Sequence, residues 1–285
     1  MLVSVILATK NGLPHILEQL DALAAQKVDA PWEVIVADNG SSDGTIQAAE
    51  AYQNRFPKLT IFEASSFPGQ AYARNEAVKR AAGRLLVFLD DDDLIGPGYV
   101  QTMVHALERR CFVASRLDAN LLNPQWARVS RPVSQATGLD DPYGFLPCAA
   151  GCSLGIRREV FDAVGGFDPM MRECNDIDFC WRVQRSGWQL DFVPEAVVHY
   201  RYRYRLREIF RQASAYGEAG PRLYRRYGVA GMPRRAWRRA TRFQLAALYR
   251  LLQARSRGEL AAAVFLIGLR VGMWRGCIRY RVFYL

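Results

Sequence analysis

Four consecutive carboxylates, Asp90–Asp93, directly follow the apolar run Leu85–Leu89. Adjacent negative charges repel one another, so this aspartate row is costly unless a cation neutralises it. Mg²⁺ and Mn²⁺ favour oxygen ligands, and they commonly bind through one or two carboxylates together with substrate phosphates. The aspartate row therefore predicts a divalent-cation site, and a solvated acidic turn that caps a helix is the alternative.

The elements before the aspartate row alternate between strand and helix. Helical patterns follow Pro14, Thr45 and Gly69, and apolar runs predict strands at Val3–Ala8, Glu33–Ala37, Leu59–Glu63 and Leu85–Leu89. This alternation indicates right-handed βαβ units and a parallel sheet, in which ligands bind beyond the carboxyl ends of the strands. We expect Thr9-Lys10-Asn11, Asp38 and the aspartate row to meet there in one crevice.

The charge is distributed unevenly along the chain. Residues 1–199 contain 18 Lys and Arg against 25 Asp and Glu, whereas residues 200–285 contain 20 Arg against 3 Glu. Arginines interleaved with aromatic residues, as in YRYRYR at 200–205, favour amphipathic helices at an anionic membrane surface. Packing of these helices on the rest of the protein is the alternative. No nucleic-acid-binding module is recognisable, which argues against nucleic acid as the partner.

The cysteines and the N-terminus favour a reducing compartment. The six cysteines form no CxxC pair, and MLVSVILATKNG indicates a strand and a turn rather than a secretory signal. A zinc site at Cys148 and Cys152 would lack the usual second ligand pair. The longest apolar run, Leu260–Leu269, is closed by Glu259 and Arg270, so we expect no run of about 18 residues that could span a membrane.

Five stretches, in this order, resemble the family 2 glycosyltransferases: VSVILATKNG, VIVADNGSSDGT, GQAYARNEAVKRAAGRLLVFLDDDD, GCSLGIRREVFDAVGGFD and NDIDFCWRVQRSGWQLDFVPEAVVHY. The likeness covers about residues 2–200. It departs from the family pattern at Ala8-Thr9-Lys10-Asn11, where Pro-Thr-Tyr-Asn is usual. The resemblance implies the GT-A fold, a Rossmann-like α/β architecture with a mostly parallel sheet flanked by helices. It also implies inverting transfer of a sugar from a nucleotide-diphosphate donor.

The resemblance implies a donor site around the strand ends. Asp38 would hold the nucleobase or ribose, unless it only forms the turn before Asn39-Gly40. Thr9 would frame the base, and the Arg74 fork suits a phosphate or a base carbonyl. A position on the helix surface is the alternative for Arg74. Asp91 is assigned to the donor as well, although it could instead be a solvated cap.

The resemblance also implies a metal position, which Mn²⁺ or Mg²⁺ would occupy. Asp92 matches the metal-binding aspartate of the family's DXD motif, and Asp90 would contact the donor ribose or the metal. His199 would reach the metal or the diphosphate, with a local structural hydrogen bond as its alternative. Asp93 is a second candidate for a solvated cap.

On the acceptor side, inverting transfer needs a base that takes the proton of the attacking hydroxyl. The family places it in a Glu-Asp motif, which reads Asn175-Asp176 here, so Asp176 is the predicted base. Asp178 is expected to orient neighbours or to pair with Arg182 one turn on. The stretch Asn120–Pro147 is expected to be a partly mobile acceptor-side loop.

These assignments predict a catalytic domain over residues 1–205, with a donor half at 1–95 and an acceptor half at 96–205, and a basic helical extension over 206–285. The leading prediction is a metal-dependent glycosyltransferase of cell-surface glycan synthesis. It would act on a saccharide or lipid-linked acceptor in the cytoplasm, peripherally at the inner face of the cell membrane. The alternatives are a non-catalytic membrane-associated subunit and a nucleotidyltransferase. The latter would usually carry a Gly-rich loop with Lys or Arg after the first strand, which ATKNGLPHI lacks.

Overall fold

A computed structural model describes residues 2–131, 133–234 and 249–284. The strands are β1 (Val3–Thr9), β2 (Trp32–Asp38), β3 (Leu59–Glu63), β4 (Leu85–Asp90), β5 (Leu94–Ile95), β6 (Phe112–Asp118), β7 (Leu154–Arg157) and β8 (Asp191–His199). The helices are α1 (His15–Ala24), α2 (Thr45–Glu50), α3 (Gln70–Arg80), α4 (Tyr99–Arg109), α5 (Gln125–Arg128), α6 (Arg158–Ala163), α7 (Asn175–Arg185), α8 (Leu206–Tyr227) and α9 (Arg257–Tyr280).

The eight strands form one sheet in the order β3-β2-β1-β4-β7-β6-β8-β5. The four predicted strands of the first half pair in parallel, and β1 is buried along its whole length. The register brings the predicted donor residues together, because Thr9 pairs with Asp38 and Ala8 pairs with Asp90. The expected meeting of these strand ends at one sheet edge is confirmed.

The second half of the sheet is mixed. β7 is antiparallel to both β4 and β6, whereas β6 and β8 are parallel, with a register shift between Ser115 and Arg116. The strand β8 runs from Asp191 to His199. The short strand β5 pairs antiparallel with it, so Leu94 lies opposite His199. The predicted α/β architecture, a sheet flanked by helices and followed along the chain by a C-terminal helical region, is therefore confirmed.

The described residues group into two compact units. One consists of the chain up to Asp118 with Ser134–Asp140 and Pro147–Arg201, and it holds all eight strands. The other consists of Ala119–Val133, Asp141–Leu146 and the chain from Tyr202 onward. Within the predicted acceptor loop, the regular structure is the one-turn helix α5 and an isolated bridge between Asp140 and Cys148. The predicted domain boundary after residue 205 and the mobility of this loop stay predictions.

In the second unit, α8 and α9 pack backbone against backbone. A Cβ at Gly272 would lie 1.8 Å from the Ser214 carbonyl oxygen, and one at Gly217 would lie 2.1 Å from the Leu269 carbonyl oxygen. Glycine is therefore required at both positions. The predicted amphipathic helix after Arg205 is α8. Residues 235–248 of the predicted helical extension lie outside the described residues.

One described helix, α9, is long and apolar enough to cross a membrane by length and composition alone. It has 24 residues, and an 18-residue window within it has a mean hydropathy of 1.5. The expectation that no segment reaches this length was wrong, because the helix continues past Arg270 instead of ending there. It begins at a capping box formed by Ser256 and Glu259. Since 39% of the window is buried inside the protein, composition alone does not place α9 in a membrane.

Candidate active site

The aspartate row lies at the carboxyl end of β4 and is held by side chains of α3 and β1 and by the backbone of Arg201. Asp90 Oδ1 accepts hydrogen bonds from Arg74 Nη2 at 2.7 Å and from Gln70 Nε2 at 2.5 Å. Asp91 accepts one from the Thr9 hydroxyl at the end of β1. Asp93 is 1% exposed and accepts a bond from the Arg201 backbone N–H at 2.8 Å. Asp93 is therefore not a solvated cap, and that alternative was wrong.

Burial raises the pKa of three carboxyls in this row. It is the largest cause for Asp90, Asp91 and Asp93, and the charge of Asp92 raises the pKa of each of them further. The pKa of Asp91 rises to about 7, although the Thr9 hydroxyl opposes the shift. The guanidinium of Arg74 likewise opposes the rise at Asp90. The row thus holds negative charge at an energetic cost, which a bound cation would relieve.

The donor atoms around the row suit a hard cation. Among the described residues, one group of at least three potential ligands comes together, with its ligand atoms within 4.8 Å of one another: Asp90, Asp93 and Cys152. Burial, followed by the charge of Asp93, raises the pKa of the Cys152 thiol well above its ordinary value, so the thiol is protonated as long as no cation is bound. The carboxylate oxygens remain, including a buried Asp93 Oδ2 without a hydrogen-bond partner. Oxygen ligands of this kind fit Mg²⁺ or Mn²⁺. Cys148, the other half of the zinc alternative, is not in the group.

The predicted metal ligands Asp92 and His199 are not in this group of three. The Asp92 carbonyl accepts a hydrogen bond from Arg201 Nε at 2.8 Å. His199 ends β8, and its Nδ1 lies 3.6 Å from Asp118 Oδ2, without a hydrogen-bond partner. Their roles as metal ligands stay predictions.

Asp38 at the end of β2 forms a turn. Its Oδ2 accepts hydrogen bonds from the backbone N–H groups of Gly40 at 3.0 Å and Ser41 at 2.8 Å, and its Oδ1 accepts one from the Ser41 hydroxyl. The turn-forming interpretation is confirmed. A carboxylate has about four lone-pair positions, so this turn leaves capacity for a donor hydroxyl or base N–H. The contact of Asp38 with the donor stays a prediction.

Arg74 is an interior residue of α3, only 1% exposed. Beyond its ion pair with Asp90, its Nη1 donates to Asn175 Oδ1 at 3.4 Å, and its guanidinium carbon lies 5.3 Å from the centre of the Phe167 ring. The alternative of a surface arginine was wrong. Gly151 leaves the space that the guanidinium fills, since a Cβ there would be 2.3 Å from Nη1.

Asp176, the predicted base, lies in the first turn of α7. Its Oδ2 accepts a hydrogen bond from the Gly151 backbone N–H at 3.2 Å, and its Oδ1 accepts one from the N–H of Ile177 at 2.9 Å. Burial raises the pKa of Asp176, and these two N–H donors with the charge of Arg74 partly oppose that shift. A carboxylate with a raised pKa is a better proton acceptor at neutral pH than an ordinary one.

Asp178 and Arg182 form the ion pair that the sequence predicted. Arg182 Nε lies 2.8 Å from Asp178 Oδ2, and Asp178 is fully buried. The other guanidinium nitrogens donate to the carbonyl oxygens of Val164 at 2.7 Å and Gly166 at 2.6 Å. The ion pair therefore fixes the turn at Gly165-Gly166 to α7. Asp178 lies two residues after the predicted base Asp176.

Two side chains of the site were not predicted. Gln70 binds Asp90 directly, and Asn175 binds Arg74. The spacing of Gln70 and Arg74, four residues apart on one helix, was a usable signal, because such residues share a helix face. No local pattern marks Asn175 or Gly151, because their contacts arise only when α7 and the turn before β7 meet α3.

An aspartate row at the carboxyl edge of this mixed sheet is the architecture of GT-A glycosyltransferases. The mannosyltransferase PcManGT of Pyrobaculum calidifontis, solved with GDP-Man and Mn²⁺, superposes with a TM-score of 0.65 at 21% identity, over 95% of this chain and 86% of that one. Staphylococcus aureus TarS superposes with a TM-score of 0.56 at 18% identity, over 96% of this chain and 55% of that one. The fold is GT-A, as the resemblance implied.

The chain belongs to glycosyl transferase family 2, whose sequence profile matches residues 4–165, more than half of its length. The Bacillus subtilis glycosyltransferase YwdF is 27% identical over 208 residues, which are 71% of this chain and 75% of YwdF. The Mycobacterium tuberculosis N-acetylglucosaminyl-diphospho-decaprenol L-rhamnosyltransferase is 26% identical over 238 residues, covering 69% of this chain and 75% of that protein. The nucleotidyltransferase alternative finds no support in these matches.

Proposed function

We propose that this protein is an inverting, metal-assisted glycosyltransferase. It would move a sugar from a nucleotide-diphosphate-sugar donor to a hydroxyl of a saccharide or lipid-linked acceptor in cell-surface glycan synthesis. The observation that carries the proposal is the double contact of Arg74. One buried guanidinium binds both Asp90, in the predicted donor and metal row, and Asn175, the neighbour of the predicted base Asp176. Donor side and acceptor side therefore adjoin, as a transfer reaction requires.

In the proposed mechanism, the intramolecular hydrogen bonds described above hold each residue in place for its role. Thr9, Asp38 and Asp91 would bind the nucleoside end of the donor, and Asp90 and Asp92 would hold the cation, with Asp93 beside Asp90 as a further oxygen ligand. When bound, that cation supplies positive charge to the diphosphate that leaves. Asp176 accepts the proton of the acceptor hydroxyl at a carboxylate oxygen, while the Gly151 N–H fixes the orientation of the carboxylate. Arg74 opposes the rise in the pKa of Asp90 and links the row to Asn175, the neighbour of Asp176.

The relatives support an acceptor that is lipid-linked or polymeric. The mycobacterial relative is named for an N-acetylglucosaminyl-diphospho-decaprenol acceptor, and TarS is named a poly(ribitol-phosphate) β-N-acetylglucosaminyltransferase. The match to TarS is 41% identical but covers only 32% of this chain and 16% of TarS. The structures with UDP-GlcNAc and with GDP-Man indicate which nucleotide sugars to test first.

We expect turnover to require a divalent cation. Purified protein would be offered a panel that includes UDP-GlcNAc and GDP-mannose, and release of the nucleoside diphosphate would be followed with Mn²⁺, with Mg²⁺ and with EDTA. Asp92→Asn should lower the metal-dependent rate by about a hundredfold, because a cation ligand is lost. Asp29→Asn, at an exposed position, is the matched control. A full rate in EDTA would refute metal assistance, and no turnover of any donor would favour a non-catalytic subunit.

We further propose that the protein associates peripherally with the cytoplasmic face of an anionic membrane through α9. One side of this helix carries an apolar stripe, spaced three and four residues apart: Leu260, Val264, Ile267, Val271, Trp274 and Ile278. Val271, Trp274 and Ile278 are 38%, 45% and 77% exposed. Arg275 lies exposed beside these three residues, and Arg279, also exposed, pairs with Glu218 of α8 at 2.8 Å. A partly exposed apolar stripe flanked by arginines suits a headgroup region that is negatively charged.

Vesicle binding tests this surface. Co-sedimentation with vesicles of phosphatidylcholine and phosphatidylglycerol should exceed that with phosphatidylcholine alone, and added salt should weaken it. The variant Trp274→Ser/Ile278→Ser should bind about tenfold less, because two side chains lose their apolar burial. Met170→Ser, which also removes a 63% exposed apolar side chain, is the control. Equal binding by the double variant and the parent would exclude the α9 stripe.

A further inference from the structure

We infer that Gln135 is a positioning residue for the base: its side chain holds Ala150 directly and through the Ser153 hydroxyl, and so helps to orient the following peptide, from which the Gly151 N–H donates to Asp176. This inference rests on the proposed role of Asp176. Gln135 belongs to the stretch Asn120–Pro147, which the sequence marked as an acceptor-side loop. It lies in the segment Ser134–Asp140, which the structure assigns to the same unit as the sheet and the candidate site.

Gln135 is a buried polar residue in an uncommon backbone conformation. It is 2% exposed, and its φ of +58° lies in the left-handed region that favours glycine. A non-glycine residue is held in this strained conformation only when its surroundings determine its position. Two hydrogen bonds of its backbone groups hold Gln135 in this conformation. The Gln135 N–H donates to Asp140 Oδ1 at 3.3 Å, and the Leu117 N–H of β6 donates to the Gln135 carbonyl at 3.3 Å.

The side-chain amide of Gln135 uses both its donor and its acceptor groups. Nε2 donates to the Ser115 carbonyl of β6 and, at 2.8 Å, to the Ser153 hydroxyl. Oε1 accepts the Ala150 N–H at 2.9 Å. The Ser153 hydroxyl in turn donates to the Ala150 carbonyl at 2.7 Å. Ala150 is therefore fixed at its N–H by Gln135, and its carbonyl accepts both the Ser153 hydroxyl that Gln135 binds and the Ser153 backbone N–H at 3.0 Å.

The next residue along the chain connects this arrangement to the base. The Gly151 N–H donates to Asp176 Oδ2 at 3.2 Å, and the Gly151 Cα faces the guanidinium of Arg74. Ala150 thus contacts Gln135, which is bound to β6, and Gly151 contacts the two charged groups of the site, Asp176 and Arg74. Since only a correctly oriented peptide directs its N–H at Asp176, the orientation of that carboxylate depends on Gln135. The loop predicted to bind the acceptor would in this way be coupled to the base.

The test combines kinetics with hydrogen exchange. Gln135→Met keeps the size of the side chain and removes all three amide contacts. For donor turnover with Mn²⁺ and UDP-GlcNAc or GDP-mannose, we expect kcat to fall about tenfold while the donor KM changes less than about twofold, because a displaced base impairs the chemical step and not donor binding. Exchange of the Gly151 amide, followed by mass spectrometry of peptides across residues 147–154, should become faster. This second measurement needs no substrate.

Two further variants make the outcome decisive. Ser153→Ala breaks the same arrangement without touching the strained backbone, and it carries the test if Gln135→Met does not fold. Ser4→Ala removes a buried hydroxyl that donates to Glu33 at 2.6 Å, at the other end of β1, and should leave kcat and the Gly151 exchange unchanged. Unchanged kcat and exchange in Gln135→Met, or the same kcat loss in Ser4→Ala, would overturn the inference. If Asp176→Asn kept full turnover while Gln135→Met still freed the Gly151 amide, the base assignment would fail and the anchoring of that peptide would stand.

Discussion

Asp176→Asn is expected to lower the rate of sugar transfer about a thousandfold. The asparagine side chain retains the size of the aspartate and can accept one of its two backbone N–H contacts, from Gly151 or Ile177, but it cannot take up the proton of the attacking hydroxyl. General-base catalysis by a positioned side chain contributes about 10²–10⁴-fold, so the loss should dominate any effect on binding. Binding of the nucleoside diphosphate should persist, because the predicted donor residues lie on β1, β2 and β4.

Initial rates with the donor found in the panel, measured alongside a thermal shift with UDP or GDP and Mn²⁺, separate these effects. The parent and Asp176→Asn should show the same shift of the melting temperature, since both bind the nucleotide, while only the parent turns over. Asp162→Asn, at an exposed position on α6, is the matched control and should retain the parent rate. A rate loss of less than about tenfold in Asp176→Asn would contradict its role as the base.

The activity of the parent enzyme and of Asp176→Asn is predicted to depend differently on pH. Burial raises the pKa of Asp176, and only the ionised carboxylate can accept a proton. As the pH falls through this raised pKa, kcat/KM should fall, at a higher pH than the ordinary pKa of 3.8 would give. Activity should therefore be present above the folded-state pKa of Asp176 and lost below it. The residual rate of Asp176→Asn should lose the contribution of the base to this acidic limb and keep only the contribution of the aspartate row, whose pKa values are also raised.

The first half of the fold was predictable from sequence for a physical reason. Strands buried on both faces read as continuous apolar runs, and β1, β2 and β4 are such runs. Their parallel pairing then fixed where Thr9, Asp38 and Asp90 would meet. The second half lacks this regularity. β7 has four residues and is inserted antiparallel between β4 and β6, an arrangement set by tertiary pairing rather than by any local pattern.

Within the site, sequence reasoning located the charged residues but not their mutual contacts. A helical arginine usually lies at the surface, and Arg74 is buried because Gly151 makes room for it and Asp90 neutralises it. The positive φ of Gln135 and its three amide contacts likewise leave no signal in the neighbouring residues. The helix α9 was underestimated for a simpler reason. An arginine interrupts an apolar run without ending a helix, because the long side chain carries its charge away from the backbone.

The ion pair between Arg74 and Asp90 should be one of the largest single contributions to the stability of this site. Arg74→Met keeps an apolar side chain against the Phe167 ring but leaves Asp90 without its counter-charge. Removing one partner of a buried pair typically costs about 3–5 kcal/mol. Because the Asp90 side chain is 24% exposed, water screens part of that charge. We therefore expect a loss of about 2–4 kcal/mol in the free energy of unfolding, measured with urea.

A double-mutant cycle distinguishes the ion pair from simple packing. Asp90→Asn alone leaves the guanidinium of Arg74 buried without a carboxylate, and Arg74→Met alone leaves the carboxylate. The combination Arg74→Met/Asp90→Asn leaves neither charge, so the double variant should be more stable than the sum of the single losses by at least about 1 kcal/mol. Additive losses would mean that the two side chains contribute independently. Since Arg74 also binds Asn175, beside the proposed base, additivity would further remove the structural link between the donor row and Asp176 on which the proposed transfer depends.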